Sequence, residues 1–186
     1  MLTHTGTNEI ETENLLLRKF EYSDSDDMLK YWISYPELQA LYGEPAYTTK
    51  DEVNDLLNKY ITSYEKKDYY RWAIILKETN ECIGQIAYFL VDNKNHFAEI
   101  EYCIGLHFQR KGFATEATKA IISYGFDKIN LHKIQISHKS INIPSKKVIE
   151  KCGFVYEGSL RHYFYENGIY VDRLYYSILR TDFMPI

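Results

Sequence analysis

The chain has 186 residues, of which 45% are hydrophobic, and this is enough for a sizeable core in a single domain. Its formal net charge of −4 does not favour a nucleic-acid partner. No apolar run reaches the length of a membrane span, the first ten residues lack the pattern of a signal peptide, and the six histidines lack metal-ligand spacing. We therefore expect no membrane partner and no bound metal.

The three cysteines are odd in number, far apart and set in apolar sequence. They are Cys82, Cys103 and Cys152. This pattern predicts buried free thiols in a reducing compartment, which favours a cytoplasmic protein. A nucleophilic cysteine is the less favoured alternative.

The start of the chain predicts a tail, one strand and one helix. Residues 1–14 are expected to be a loose tail, followed by a short strand at residues 15–20. Ser23 is expected to cap a first helix, with Asp26 three residues later as an imperfect capping box. Pro36 is expected to lie in a loop.

The middle of the chain predicts a second helix and then several strands. Apolar residues recur at helical spacing over residues 49–66. Strands are predicted at residues 69–76, at residues 82–91 and from residue 97, and the short polar turns between them favour an antiparallel meander. A later strand at residues 133–138 must run parallel to the strand from residue 97 if it lies beside it, because a helix separates the two.

Residues 97–118 predict a strand, a tight loop and a helix. Gly105 ends the alternating strand pattern, and Gly112 precedes the helix. The first turn of a helix has N–H groups without partners, and the helix dipole adds positive charge there. Gly112 would let an anion approach the backbone, and Arg110 and Lys111 add full charges. The loop therefore predicts a phosphate or pyrophosphate site, with a plain connection and an exposed basic turn as the alternative.

A second informative stretch covers residues 140–154. Pro144 suits the start of a helix, and Gly153 suits its C-terminal stop. Asn142 and Ser145 lie where helix-capping residues are expected. The sequence predicts a short capped helix here.

Both stretches resemble signatures of the GCN5-related N-acetyltransferases, the GNAT superfamily. The loop pattern Q-x-x-G-x-A, at Gln109, Gly112 and Ala114, resembles the family's acyl-CoA pyrophosphate loop. The second stretch is similar to the family pattern N-x-x-S-x-x-x-x-E-K-x-G-F. The matching positions are Asn142, Ser145, Glu150, Lys151, Gly153 and Phe154.

The opening of the chain resembles one branch of this family. E-T-E-N before the first strand and S-D-S-D-D after it are similar to the ribosomal-protein N-terminal acetyltransferases (RimJ/RimL-like), with Asn14 in place of their usual arginine. The resemblance implies an α/β (α+β) GNAT fold as a single domain over residues 1–186, with its core at about residues 12–182. It implies a mixed twisted sheet of about seven strands with helices on both faces. Its two parallel strands should splay apart and leave backbone groups for the pantetheine amides.

The resemblance implies transfer of an acetyl group from acetyl-CoA, as co-substrate, to a primary amine by direct attack in a ternary complex. The branch favours a protein or peptide N-terminal amine as the acceptor. A small amine, such as a polyamine, an aminoglycoside or an amino acid, is the alternative. A non-catalytic acyl-CoA-binding sensor is an alternative of another class, and the oligomeric state, monomer or homodimer, stays open.

The resemblance also implies which residues contact acetyl-CoA. They are Ile104, Gly105, Leu106, Gln109, Arg110, Lys111, Gly112, Phe113, Ala114, Thr115, Asn142, Ser145 and Lys151. Asn142 would hydrogen-bond the pantetheine arm, and Ser145 would lie near the CoA sulfur. A backbone N–H near residues 104–106 would meet the oxyanion.

Four residues are candidates for the chemistry. Glu99 and Glu101 share one face of the central strand, and either could be the general base. The segment F-A-E-I resembles histone-acetylating GNAT members, which favours Glu99; acceptor-binding or merely solvated carboxylates are the alternative. Ser145 or Tyr163 would return a proton to the departing thiolate.

A final hairpin is predicted around Asn167 and Gly168, which favour a type I′ turn between two aromatic-rich strands. Arg161, Tyr163 and Tyr165 should share one face of its first strand if no bulge intervenes. The family uses this hairpin to close the acceptor side.

Overall fold

The computed structural model describes residues 1–183, which form one eight-stranded mixed sheet with helices on both faces. The strands are β1 (Ile10–Glu11), β2 (Leu15–Arg18), β3 (Tyr70–Leu76), β4 (Glu81–Asp92), β5 (Phe97–Ile104), β6 (Lys133–Lys139), β7 (Val155–Glu166) and β8 (Ile169–Leu179). The helices are α1 (Ser25–Met28, continued by Leu29–Ile33), α2 (Pro36–Ala40), α3 (Lys50–Ser63), α4 (Phe113–Tyr124, continued by Gly125–Ile129) and α5 (Ile143–Lys151). The sheet order is β1-β2-β3-β4-β5-β6-β8-β7.

The sheet confirms the predicted meander and the predicted parallel pair. Strands β3, β4 and β5 are antiparallel neighbours, and β5 and β6 run parallel. Their pairing stops at Ile100 opposite Ile136, although both strands continue. The two strands therefore diverge beyond this point and leave a gap in the sheet, as expected from the family resemblance.

Helices cover the two faces of the sheet with different partners. On one face, Tyr60 of α3 packs against Arg71 of β3, with the guanidinium carbon 4.6 Å from the ring centre. On the other face, Trp72 of β3 packs edge-on against Tyr124 of α4 at 5.4 Å. Because adjacent strand residues point to opposite faces, one strand contributes to both layers.

The N-terminal tail is not loose, and that prediction was wrong. The Thr3 N–H donates to the Ile129 carbonyl and the Gly6 N–H to the Lys67 carbonyl, both at 2.8 Å. The indole N–H of Trp72 donates to the Asn8 carbonyl at 2.7 Å. The polar composition of this segment predicted a free tail, but several of its backbone N–H and carbonyl groups are hydrogen-bonded to neighbouring elements. Strand β1 also lies in this segment and raises the strand number from about seven to eight.

The cap of the first helix also differs from the prediction. Glu21 precedes a single 3₁₀ turn (Tyr22–Asp24) that leads into α1. The Glu21 N–H donates to the Asp24 carboxylate at 2.8 Å, and the Asp24 N–H donates to the Glu21 carbonyl at 3.0 Å. Arg18 fixes the Asp24 carboxylate at 2.7 Å, so the reciprocal cap forms two residues earlier than Ser23 with Asp26 would place it. Pro36 begins α2 rather than lying in a loop, because proline suits the first helical position.

Helix α3 and the last hairpin largely follow their predictions. Thr49 caps α3 in a capping box with Glu52, although the helix ends at Ser63. Asn167 and Gly168 have φ of 49° and 83°, which is the left-handed pair that a type I′ turn requires. The pairing of β7 with β8 shifts register between Leu160 and Phe164, so the expected common face of Arg161, Tyr163 and Tyr165 is interrupted by a bulge.

Candidate active site

The gap between β5 and β6 exposes backbone groups of the central strand. The Gly105 N–H donates to the Ile83 carbonyl at 2.8 Å. Because hydrogen-bonding direction alternates along a strand, the backbone groups of Tyr102 and Ile104 point toward the gap. Of the predicted oxyanion donors, the Gly105 N–H is therefore committed to β4, whereas the Ile104 N–H faces the gap.

The loop after β5 is tied back to the strand that precedes it. The Gln109 side-chain amide donates to the Ile104 carbonyl at 3.0 Å. Gly112, immediately before α4, has φ of 93°, a conformation that costs other residues about 1–2 kcal/mol. A Cβ built on Gly112 would meet no atom within 4 Å, so the glycine leaves an open backbone surface. Gln109 therefore braces the loop, and Gly112 keeps it accessible.

The first turn of α4 is an open cradle of N–H groups. The first intrahelical bond runs from the Glu116 N–H to the Gly112 carbonyl, so the preceding amides of this turn have no helical partner. These amides belong to Phe113, Ala114 and Thr115. Arg110 and Lys111 are exposed beside them. This donor set fits a pyrophosphate.

Helix α5 places Ser145 under the central strand. The Asn142 side-chain oxygen caps the helix by accepting the Ser145 N–H at 3.1 Å, which confirms the capping interpretation. The Ser145 hydroxyl lies 3.0 Å from the Tyr102 hydroxyl. Burial raises the pKa of Tyr102, so its phenol stays protonated. Lys151 is exposed at the last turn of α5.

The Glu99 carboxylate is buried and fully engaged. Only 4% of the residue is exposed. Its oxygens accept hydrogen bonds from the amide of Gln135 at 2.9 Å, from the hydroxyl of Ser137 at 2.9 Å and from the guanidinium of Arg173 at 2.8 Å. The same guanidinium lies 3.4 Å from the Tyr163 hydroxyl. Tyr163 therefore belongs to the Glu99 side of the sheet, opposite the Tyr102–Ser145 pair.

The Glu101 carboxylate is only half engaged. Its Oε1 accepts a 2.5 Å hydrogen bond from Arg71, and 29% of its side chain is exposed. Its Oε2 has no hydrogen-bond partner among residues 1–183. Of the two candidate carboxylates, Glu101 is the one with a free oxygen.

Glu101 opens into a cavity of about 180 Å³, which we call the Glu101 cavity. Its walls come from α1, from α2 and the loop that follows it, from α3 and from strands β3 to β5. The lining residues are Ile33, Gln39, Tyr42, Glu44, Tyr47, Leu56, Tyr60, Arg71, Gln85 and Glu101. A larger cavity of about 350 Å³ lies near Lys66 and Phe89. Its lining contains neither candidate carboxylate nor Ser145, so we assign it no part in the chemistry although it is the larger of the two.

Lys139 links the end of α2 to the final hairpin. Its ammonium donates to the Ala40 carbonyl at the end of α2 at 2.5 Å and pairs with the Glu166 carboxylate at the tip of the hairpin. It also lies 4.7 Å from the ring centre of Phe164. Sequence reasoning missed this contact, as it missed Arg71 and Tyr102, because no local pattern marks partners so distant in the chain.

Within residues 1–183, neither the cysteines nor a metal-binding cluster offers a second reactive site. The three cysteines are buried, and burial raises the pKa of Cys103 and of Cys152 to about 12. Their thiols therefore stay protonated, which disfavours the nucleophilic alternative. Residues 1–183 contain no group of three histidine, cysteine or acidic side chains suited to a metal. None of the helices described here is long and apolar enough to span a membrane.

Comparisons with known proteins identify the family. A model of the acetyltransferase (GNAT) domain matches residues 14–155. The uncharacterized N-acetyltransferase p20 of Bacillus licheniformis is 34% identical over 172 residues, which cover 92% of this chain and 96% of that protein. YdaF of Bacillus subtilis, provisionally named a ribosomal N-acetyltransferase, is 36% identical over 99 residues, 53% of this chain and 54% of its own.

A solved structure extends the likeness to the fold. The spermidine N-acetyltransferase of Vibrio cholerae, in complex with CoA and spermine, has a TM-score of 0.79 and 27% identity, and the match covers 92% of this chain and 98% of that one. The splayed strands are a feature that the family resemblance implies, whereas the open first turn of α4 and the capped α5 are predicted by the sequence patterns. The chain therefore belongs to the GNAT family and is an N-acetyltransferase that uses acetyl-CoA as its co-substrate.

Proposed function

We propose that the enzyme acetylates the α-amino group of a peptide or protein by direct attack in a ternary complex. The observation that carries this proposal is the position of Glu101. It lines the Glu101 cavity, its Oε2 has no hydrogen-bond partner among residues 1–183, and it follows Ile100, where the pairing of β5 with β6 ends. An amine in the cavity would meet this oxygen, while acetyl-CoA would approach through the gap. The two substrates would then meet at the central strand.

The cofactor side of the proposal follows from the open backbone groups. The first turn of α4, with Arg110 and Lys111, would hold the pyrophosphate, and the backbone of Tyr102 and Ile104 would pair with the pantetheine amides. Gln109 contributes by bracing the loop through the Ile104 carbonyl. The proposed path of acetyl-CoA along β5, α4 and α5 is also bordered by four residues at these elements and their ends: Gly105, Leu106, Asn142 and Lys151.

The chemistry requires a neutral amine and a proton donor. Acetyl-CoA supplies an activated thioester, so the chain has to position the amine and to move protons. At pH 7 about a tenth of α-amines are neutral, against about one lysine in a few thousand. Glu101 would accept the amine proton. On the other side of the sheet, Ser145 would donate a proton to the departing CoA thiolate, and Tyr102 would support Ser145. Glu99 would hold Arg173 in place.

A polyamine is the second candidate acceptor. The 27% identical spermidine acetyltransferase supports it, and Glu44 adds a second carboxylate to the Glu101 cavity. Arg71 opposes it, because a guanidinium in the wall repels a polycation. The sensor alternative is set aside, since the family and the relatives are acetyltransferases.

Replacing Glu101 tests this assignment against a matched control. We expect Glu101→Gln to lower kcat for a short peptide by about 10²–10⁴-fold, the usual range for a lost general base, with acetyl-CoA affinity unchanged. Glu99→Gln should change kcat less than about threefold but lower the thermal midpoint, because it removes an ion of a buried pair. Equal rates and equal pH profiles for wild type and Glu101→Gln would refute the role of Glu101.

A further inference from the structure

We infer that Arg71 recognises the carbonyl oxygen next to the acceptor amine, so that the acceptors are α-amino carbonyl compounds, peptide N-termini above all. The inference rests on the proposed function and narrows it. Arg71 on β3 and Glu101 on β5 are joined at 2.5 Å across β4, and both line the Glu101 cavity. The cavity therefore offers a cation and a free carboxylate oxygen side by side.

The donors of Arg71 are only partly used. A guanidinium has five N–H donors. One terminal nitrogen of Arg71 donates to the Gln85 side chain at 2.7 Å, and the other donates to Glu101. Its Nε is buried without a partner among residues 1–183. By distance and angle, the other two hydrogens on the terminal nitrogens have no partner among residues 1–183, and 12% of the side chain is exposed.

The guanidinium is also held in a fixed orientation. The Tyr60 ring lies 4.6 Å from its central carbon, and Gln85 and Glu101 grip its two ends. A donor that is already oriented loses little entropy when it binds a ligand. Arg71 is therefore suited to recognition as well as to structure.

An α-amino carbonyl group complements this pair. Its amine can donate to the free Oε2 of Glu101 while its carbonyl oxygen, three bonds from the amine nitrogen, accepts from Arg71. A polyamine offers only donors and positive charge, so it would leave the remaining hydrogens of Arg71 unpaired and would meet a like charge. The pair of groups thus selects for a carbonyl beside the amine.

The test compares two acceptors on two enzymes. Alaninamide carries the carbonyl, and sec-butylamine has a similar size without it. Rates of thiol release are expressed per concentration of neutral amine, so the different fractions of neutral amine at the assay pH cancel, and the more basic sec-butylamine keeps its higher intrinsic nucleophilicity as a bias against the expected preference. We expect wild type to prefer alaninamide in kcat/KM by about 10–100-fold, the value of a charge-assisted hydrogen bond.

Arg71→Met should reduce that preference to less than about threefold, mainly through the loss of alaninamide activity. Arg71→Lys keeps the positive charge beside Glu101 but loses the planar pair of guanidinium donors. It should lower the preference for alaninamide over sec-butylamine at least fivefold. The ratio of the two acceptors cancels any general damage to the site. If Arg71→Met does not fold, the same ratio in Arg71→Lys decides the question.

Three outcomes separate this inference from the proposed function. An equal loss for both acceptors would make Arg71 a purely structural ion and overturn the inference, with the role of Glu101 intact. A wild-type preference for spermidine over alaninamide would also overturn it. Failure of every amine, with acetyl-CoA bound, would overturn the proposed function itself.

Discussion

Tyr102 and Ser145 meet hydroxyl to hydroxyl at 3.0 Å on the α5 face of the sheet. Ser145 alone is a poor proton donor, but a neighbouring phenol can replace the proton that it gives. Burial raises the pKa of Tyr102, which keeps the phenol protonated and able to donate. A residue that sequence reasoning overlooked therefore completes the pair that the family signature marks with a single serine.

We expect Tyr102→Phe and Ser145→Ala each to lower kcat by at least about tenfold, because general-acid assistance of this kind contributes about 10²–10⁴-fold. The double variant should be little worse than either single variant, since the two hydroxyls act as a unit. Steady-state thiol release measures the rates, and calorimetry should show unchanged acetyl-CoA affinity. Multiplicative losses would show that the hydroxyls act separately.

At the scale of elements, the loop and the first turn of α4 form one unit, which we propose binds the pyrophosphate. Gln109 fixes the loop to β5, and Gly112 adopts a left-handed conformation that leaves the helix N-terminus open. Replacing Gly112 by any other residue strains the backbone. A charge effect can therefore be read only from two replacements that share the same strain.

Gly112→Glu and Gly112→Gln form such a pair. We expect Gly112→Glu to bind acetyl-CoA about 5–30-fold more weakly than Gly112→Gln, because a carboxylate at this position repels the pyrophosphate. Titration calorimetry at low ionic strength gives both affinities. Equal affinities would mean that the pyrophosphate lies elsewhere.

Sequence reasoning succeeded where an element is set by its own residues. The period of β5, the cap of α5 by Asn142 and the turn at Asn167 and Gly168 are all local, and the structure has each of them. It failed where a partner lies far along the chain. Lys139 reaches Ala40, 99 positions away, and no periodicity encodes such a contact.

At the scale of the whole molecule, Glu116 joins the N-terminal segment to α4. Its carboxylate accepts the Thr12 hydroxyl at 2.7 Å and the Asn14 backbone and side-chain N–H groups at 2.8 and 3.0 Å. Burial alone would raise the pKa of Glu116, but the hydrogen bonds from Thr12 and Asn14 outweigh it and lower that pKa. The E-T-E-N stretch that resembles the ribosomal-protein branch thus contacts the first turn of α4.

This contact predicts a pH-dependent stability difference. Because the pKa of Glu116 is lowered in the folded state, its stabilisation is present above the unfolded value of about 4.3 and is lost as pH falls through the folded value. We expect Glu116→Gln to lower the free energy of unfolding by about 1–2 kcal/mol at pH 7, with the gap closing below about pH 4. Urea unfolding at pH 7 and below about pH 4 measures this difference between wild type and Glu116→Gln. Glu150→Gln, on the exposed side of α5, is the control. A gap that is the same at both pH values would contradict the assignment.

The central claim is that the enzyme acetylates an α-amine held by Glu101. The most direct test measures thiol release from acetyl-CoA with three acceptors. The first is a short peptide with a free N-terminus and no lysine, the second is that peptide with its N-terminus formylated and one internal residue replaced by lysine, and the third is spermidine. The account predicts rapid release with the free N-terminus and at least about tenfold slower release with the other two, even per concentration of neutral amine. Faster release with spermidine or with the blocked peptide would contradict it.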